Sequence, residues 1–224
     1  MPFAPLPRLR ADVVQTSHRL HAAGWVANHD GNVSVRLKGD RFLLTATGTS
    51  KRDIDDLSLL IVDGKGSVLE GRKRPFGELE LHRACYAARP EVDVVLHAHP
   101  PFATAFGLVN RELSPLAMPE LVVSLGAHIP TLPRALPKDP LALERLTAAA
   151  RIHDAVLVSG NGVFTFGVDL VQAYLRMELV EHWAKILHAA QGLGTIAPLS
   201  DAELRVLLDA RAKAGLGPRV TSSA

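Results

Sequence analysis

With only one cysteine, Cys85, the chain cannot form an intrachain disulfide, and the helical pattern around that residue makes it a small buried hydrophobe. Aromatic residues are scarce at 5%, against 47% apolar overall, so the core is expected to be aliphatic, built on Val, Leu and Ala. No stretch reaches eighteen uninterrupted apolar residues, and the first residues, Met1 to Pro7, lack a charged region followed by an apolar run. A membrane span and a secretory leader are therefore not expected, and the chain reads as soluble and cytoplasmic. Twenty-five Lys and Arg are dispersed among 23 Asp and Glu, giving a formal charge of +2 and no basic stripe for nucleic acid. At 224 residues the chain is long enough for one generous domain with a sizeable core.

What is present alternates between helical and strand patterns. Leu9 to Ala27 has helical spacing with Gly24 near its end. The turn formers Asn28 to Asn32 follow, and then Val33–Leu37 and Arg41–Thr45 read as a hairpin turned by Lys38-Gly39-Asp40. A second strand pair, Leu57–Val62 and Ser67–Leu69, turns at Asp63-Gly64-Lys65-Gly66. Pro75-Phe76-Gly77 punctuates the chain before the helix-favouring run Glu78 to Ala88, and Pro100-Pro101 opens a short helix running to about Leu108. Leu121 to Leu125 reads as a strand, Pro133 to Pro140 as a loop, and Leu141 to Ile152 as a surface helix. Asp169 and Gln172 form a capping pair for a long helix, Leu170 to Gln191. That helix is expected to bury Leu175, Leu179 and Ile186 and to turn Glu178, Glu181 and Lys185 outward. A last helix, Asp201 to Ala214, leads to a polar tail, Val220 to Ala224.

The chemistry concentrates at element ends. Val92 to Leu96 has the period of a buried strand, so His97 and His99, two residues apart, share a face, and Pro100 ends the strand beside them. Two imidazoles on one face make a metal claw. Glu78 stands in the first turn of its helix, with His82 one turn later on the same face. Thr47-Gly48-Thr49-Ser50-Lys51 bunches hydroxyls, a glycine and a cation in a way that suits an anion. Ser159-Gly160-Asn161-Gly162 is a tight, glycine-flanked turn between two apolar strands.

Gly31-Asn32, Thr47-Gly48, Glu78, His97-x-His99 and Gly160-Asn161-Gly162, in this order, resemble the class II aldolase/adducin family from about Leu9 to Ala190. The resemblance implies a three-layer α/β/α fold with a central mixed, mostly antiparallel sheet. It divides the chain into an N-terminal extension (1–8), the family domain (9–192) and a C-terminal helix with polar tail (193–224). It also implies a divalent metal and, typically, a homotetramer. Carried over by position, His97 and His99 are metal ligands, Glu78 is the catalytic acid/base, and Asn32, Thr47 and Gly48 hold the substrate's phosphate end. A divalent metal on neutral imidazoles is a Lewis acid toward a hydroxy-ketone, and a carboxylate beside it can move a proton near neutral pH.

Two departures accompany the match. The family's aldolases place a third histidine where this chain has Asn161, an oxygen ligand weaker than imidazole toward zinc and better suited to harder metals. Zinc is the expected metal, with manganese, iron or cobalt admitted by Asn161. Phe76-Gly77 stands where the sugar-phosphate aldolases carry two phosphate-binding serines, which turns the expectation away from a phosphorylated substrate by that route, with Lys51 a substitute anion contact. The expected function is a metal-dependent lyase of carbohydrate metabolism, acting on a small hydroxy-carbonyl or hydroxy-acid compound by aldol cleavage or decarboxylation through an enolate. Epimerisation and dehydration also occur in the family. The competing reading is a catalytically inactive, adducin-like binding or assembly protein. His82 is a possible support for Glu78, and His182 could approach from the long helix.

Overall fold

The structure is a computed structural model that describes residues 5–114, 117–134 and 139–218. Residues 1–4 of the expected extension, 135–138 of the expected loop and the tail at 220–224 lie outside them. Strands β1 (Asn32–Leu37) and β2 (Arg41–Thr45) pair in the expected hairpin, whose turn places Gly39 and Asp40 at φ of 75° and 51°. Glycine and aspartate accept that left-handed geometry, and it matches the twist of the strands. β3 (Leu59–Asp63) and β4 (Val68–Glu70) extend the sheet on one side. On the other side lie β5 (Val94–Ala98), β7 (Ala155–Val158), β8 (Val163–Gly167) and a two-residue strand β6 (Thr131–Leu132) absent from the sequence reading. The order is β4-β3-β2-β1-β5-β8-β7-β6, antiparallel throughout except where β6 joins β7. The sheet is thus mixed and mostly antiparallel, as expected.

Alternation along the strands sends side chains to two separate cores. On one face Val33, Leu43 and Leu96 pack with α1 (Leu6–Ala22), α3 (Pro101–Leu108) and α6 (Leu170–Ala190). On the other, Leu44, Val95 and Phe164 pack with α2 (Leu79–Ala88) and α5 (Pro140–Ile152), and Cys85 is buried there as expected. This is the three-layer α/β/α arrangement. β5 lies at the centre and is buried on both faces, so its Val94 and Leu96 mark one core while Val95 and His97 face the other.

Four expectations need correction. Leu121 to Leu125 is not a strand but part of α4 (Pro119–Leu125), followed by Gly126 at φ 91°. Pro119 sits in the first turn, and Leu121, Val122 and Leu125 gather on one helical face; a short apolar run satisfies either period, and the proline decides. On α6, Leu175 is 49% exposed, and the buried face is carried by Ala173, Met177, Val180 and Ala184. Glu181 does not face outward: it is 1% exposed and accepts the backbone N–H groups of Phe102 and Ala103 at 3.3 and 3.0 Å, capping the start of α3. The first helix also starts and ends earlier than its spacing suggested, at Leu6 and Ala22. The Asp169–Gln172 pair does cap α6, with Asp169 accepting the Gln172 N–H at 2.7 Å.

Asp154, just before β7, is completely buried and receives Arg89 at 3.0 Å, Arg176 at 2.8 Å and Arg211. Arg211 belongs to α7 (Asp201–Lys213), whose first turn is closed by a Ser200–Glu203 capping box. One carboxylate therefore ties three guanidiniums from three helical segments together.

Candidate active site

The site forms where β1 and β5 lie side by side. Register pairs Asn32 with His97 directly, so the first residue of one strand meets the histidine of the next. Glu78 occupies the N-cap position of α2, but its side chain caps nothing there and turns toward the strands. Its Oε2 accepts from the Asn32 amide at 2.8 Å and lies 2.8 Å from His97 Nδ1, while Oε1 accepts from the Asn161 amide at 2.8 Å. His97 Nε2 lies 2.7 Å from the Asn161 carbonyl, and the ring stacks on Phe164 at 4.2 Å between centroids. Every face of the His97 ring is thereby fixed, at 1% exposure.

His99 follows at the end of β5, its ring centroid 5.0 Å from that of His97. Its Nδ1 lies 3.0 Å from Asp30 Oδ2, and its Nε2 is buried without a hydrogen-bond partner among the described residues. The Asn32 side-chain oxygen is buried and unpartnered in the same way. Backbone approaches this close need glycine. A β-carbon on Gly162, at φ 70°, would stand 2.2 Å from the Ala98 carbonyl oxygen and 2.5 Å from His99 Cδ2.

Electrostatics follow from these contacts. Burial would push the Glu78 carboxyl up, but the His97 ring and the Asn161 and Asn32 amides together hold it well below the usual carboxylate range. Burial opposes a charge on His97, yet Glu78 and the Asn161 carbonyl raise its pKa above the ordinary value. His99 is pushed down by burial and by the neighbouring His97, with Asp30 offsetting part of this.

The structure brings Glu78, His97, His99, Asn161 and Asn32 together. Lys51 is 2% exposed; its one hydrogen bond goes to the Thr49 carbonyl at 3.3 Å, and no carboxylate pairs with it among the described residues. Burial lowers its pKa to about 8, and the charge of Asp30 acts in the opposite direction. Thr47 and Gly48 are exposed on a loop bound to the segment before Glu78: the Thr47 N–H is given to the Arg74 carbonyl at 3.0 Å, so that amide is not available to an anion. Phe76 turns into the core, 7% exposed, with its ring 4.9 Å from His82. A β-carbon on Gly77 would meet nothing within 4 Å.

Neither of the two supporting histidines reaches the site. His82 Nδ1 bonds the Ser34 hydroxyl at 2.7 Å instead of Glu78, and burial pushes its pKa down to about 3. His182 lines a separate groove of about 800 Å³ with Glu120, Ser124, Asp169 and Arg176. Asp30 and Lys73 were missed by sequence reasoning. Asp30 sits in a run of turn formers, where an aspartate needs no further explanation. Lys73, which donates to Thr49 and Ser58 hydroxyls at 3.0 and 3.2 Å, lies in a dispersed basic stretch. Only the β1–β5 pairing, invisible in the linear sequence, places Asp30 beside a histidine.

The donor chemistry fits a divalent cation in part. His99 Nδ1 faces Asp30 and its Nε2 has no hydrogen-bond partner among the described residues, a disposition that suits a metal-ligating imidazole. Among the described residues, however, no group of three or more His, Cys, Asp or Glu side chains is arranged to hold an ion. The donors available are His99, His97 after release of the Asn161 carbonyl, Glu78 and the oxygens of Asn161 and Asn32.

Glu78 is thus held by one imidazole, that of His97, and by two amides, with His99 and Asp30 beside them. Residues 11–188 match the family described as Class II Aldolase and Adducin N-terminal domain, and the chain belongs to that family. It is 31% identical over 200 residues to the 3-oxo-tetronate 4-phosphate decarboxylase of Haemophilus influenzae, covering 87% of this chain and 93% of that protein. It is 29% identical over 204 residues to the L-fuculose phosphate aldolase of Escherichia coli K12, covering 90% and 93%. Among solved structures it is similar to YgbL of Klebsiella pneumoniae, described as an aldolase/epimerase/decarboxylase by assignment only, with a TM-score of 0.84, 25% identity and coverage of 92% and 100%. These relatives support a lyase of the metal-dependent kind, and the family is generally dependent on a divalent metal. Among the described residues no helix is long and apolar enough to cross a membrane.

Proposed function

We propose that the protein is a divalent-metal-dependent lyase that cleaves or decarboxylates a small hydroxy-carbonyl or hydroxy-acid substrate. The observation that carries this reading is the Glu78 carboxylate held at 2.8 Å by His97, Asn32 and Asn161 beside the bare Nε2 of His99. An assembly protein has no physical need for a half-buried, multiply bonded carboxylate next to an unsatisfied imidazole, which favours the enzyme over the adducin-like binding role. A cation bound by His97, His99 and an oxygen of Asn161 supplies Lewis acidity toward the substrate's carbonyl and hydroxyl oxygens. Zinc is the first candidate; an oxygen in place of a third imidazole also suits manganese, iron or cobalt.

Glu78 holds the proton-transfer role. Three hydrogen-bond partners fix its orientation, and its partial exposure leaves the carboxylate reachable by substrate. Asn32 orients Glu78 through its amide nitrogen and keeps its oxygen free for a substrate hydroxyl or a cation. Lys51, with no carboxylate paired to it among the described residues, suits the acidic end of a substrate, and the exposed Thr47–Gly48 loop precedes it in sequence, with Lys73 donating to Thr49. Gly77 leaves room where a side chain would otherwise contact the substrate. The sugar-acid decarboxylase among the relatives supports an acidic substrate. A homotetramer, as the family resemblance implies, is part of the proposal.

The test is metal content by elemental mass spectrometry on untagged protein, with His97→Ala and Asn161→His variants alongside. Near-stoichiometric metal in the wild type that His97→Ala loses supports the lyase and directs substrate screening to hydroxy-acids and sugar acids. An empty wild type together with a zinc-filled Asn161→His variant overturns it in favour of the binding role.

A further inference from the structure

Asp30 is the acidic group that packs against the histidine pair from outside the expected ligand set. It is anchored rather than free. Its Oδ1 accepts the Ala27 N–H at 2.5 Å, its Oδ2 faces His99 Nδ1 at 3.0 Å, and the His99 backbone N–H is given to the Trp25 carbonyl at 2.8 Å. The loop carrying Asp30 packs closely on the strand: a β-carbon on Gly31 would lie 3.0 Å from the His97 carbonyl oxygen and 2.5 Å from Val26 Cγ1. On its other side the His99 ring meets Gly162, where a β-carbon would reach Cδ2 at 2.5 Å. The imidazole is therefore wedged between the 25–31 loop and the 160–162 turn, and one ring nitrogen has an acceptor while the other has nothing.

A neutral imidazole carries one proton, and the nitrogen that faces an acceptor keeps it. We propose that Asp30 is a positioning residue that holds His99 as the Nδ1–H tautomer and so reserves its Nε2 lone pair as a metal donor. This rests on the metal reading above. It assigns to this chain a carboxylate–histidine pair behind the metal, the arrangement that raises a ligand's basicity and fixes its ring.

The test uses full-length, metal-stripped protein labelled with ¹⁵N-histidine, in wild-type, Asp30→Asn and Asp30→Ala forms, with His99→Gln to assign the signal. Long-range proton–nitrogen spectra read the tautomer, and cobalt titration against a competing chelator reads affinity. The expected result is a bare Nε2 on His99 in the wild type, a shift toward the Nε2–H tautomer in Asp30→Ala, and cobalt binding weakened roughly 10- to 100-fold in that variant. Asp30→Asn keeps one acceptor oxygen for two donors, the Ala27 N–H and the His99 Nδ1–H, and falls between wild type and Asp30→Ala in both readouts. Tight cobalt binding in wild type and Asp30→Ala alike, with an unchanged His99 signal, overturns the role of Asp30 while the metal reading stands. No cobalt uptake by the wild type overturns the metal reading, and this inference with it.

Discussion

Replacing Lys51 by methionine should make the protein more stable at neutral pH, although methionine has no charge to contribute. Lys51 is 2% exposed, has one hydrogen bond, and has its pKa lowered by burial from 10.5 to about 8. At ~1.4 kcal/mol for each tenfold change in proton affinity, that displacement corresponds to roughly 3 kcal/mol of unfavourable burial of the charge. The sign follows from proton counts. Below pH 8 the folded and unfolded chains both carry the charge, and the folded state bears the full burial term. Between pH 8 and 10.5 the folded state has released the proton and the unfolded state has not, so wild-type stability rises through that window. Above 10.5 both are neutral. Methionine is likewise unbranched, nearly as long, and suits the same buried space. Denaturant melts of Lys51→Met and wild type at pH 7 and at pH 10.5 give the difference directly: about 1–3 kcal/mol in favour of the variant at pH 7, shrinking toward zero at the higher pH. A variant less stable at pH 7, or a difference that does not change with pH, would refute the argument by showing that the ammonium is already compensated inside the protein.

Two further outcomes follow from buried groups away from the reaction. Asp154→Ala leaves Arg89, Arg176 and Arg211 without their shared carboxylate and should destabilise the fold by about 3–5 kcal/mol. Hydrogen exchange should show α7 losing protection first; unchanged protection there would show that Arg211 does not hold the helix. His82, with a folded pKa of about 3 against 6.5 in the unfolded chain, stays neutral as the pH falls, so the unfolded state takes up a proton the folded state refuses and stability declines between pH 6.5 and 3. His82→Phe should flatten that acid limb at about 1 kcal/mol lower stability near pH 7, where the Ser34 hydrogen bond is lost; an equally steep limb assigns the acid sensitivity to another group.

Local patterns were legible where one period dominated and no tertiary contact overrode it. The β1–β2 hairpin, the β5 strand with its two histidines and the Asp169–Gln172 cap all followed from residues near one another in sequence. The errors fall where a side chain serves a distant element. Glu181 looks like a solvent-facing helix acid until the start of α3 is set against it, and Leu175 looks buried until the sheet meets α6 along another face. β6 is two residues long and exists only as an addition to β7. In the site, Glu78, His97, His99, Asn32 and Asn161 came from the ordered motifs, and the structure gathers them. Asp30 was hidden because its partner is some seventy residues away and is reached only through strand pairing.

The glycines around the site set where it can change. Gly31 and Gly162 press against the strand that carries the histidines, so any added side chain there shifts a ring whose position the chemistry needs. Gly77, one residue from Glu78, faces open space in a conformation that ordinary residues adopt. A side chain can therefore be added at residue 77 without displacing Glu78, whereas at residues 31 and 162 it would push against the strand that carries His97 and His99.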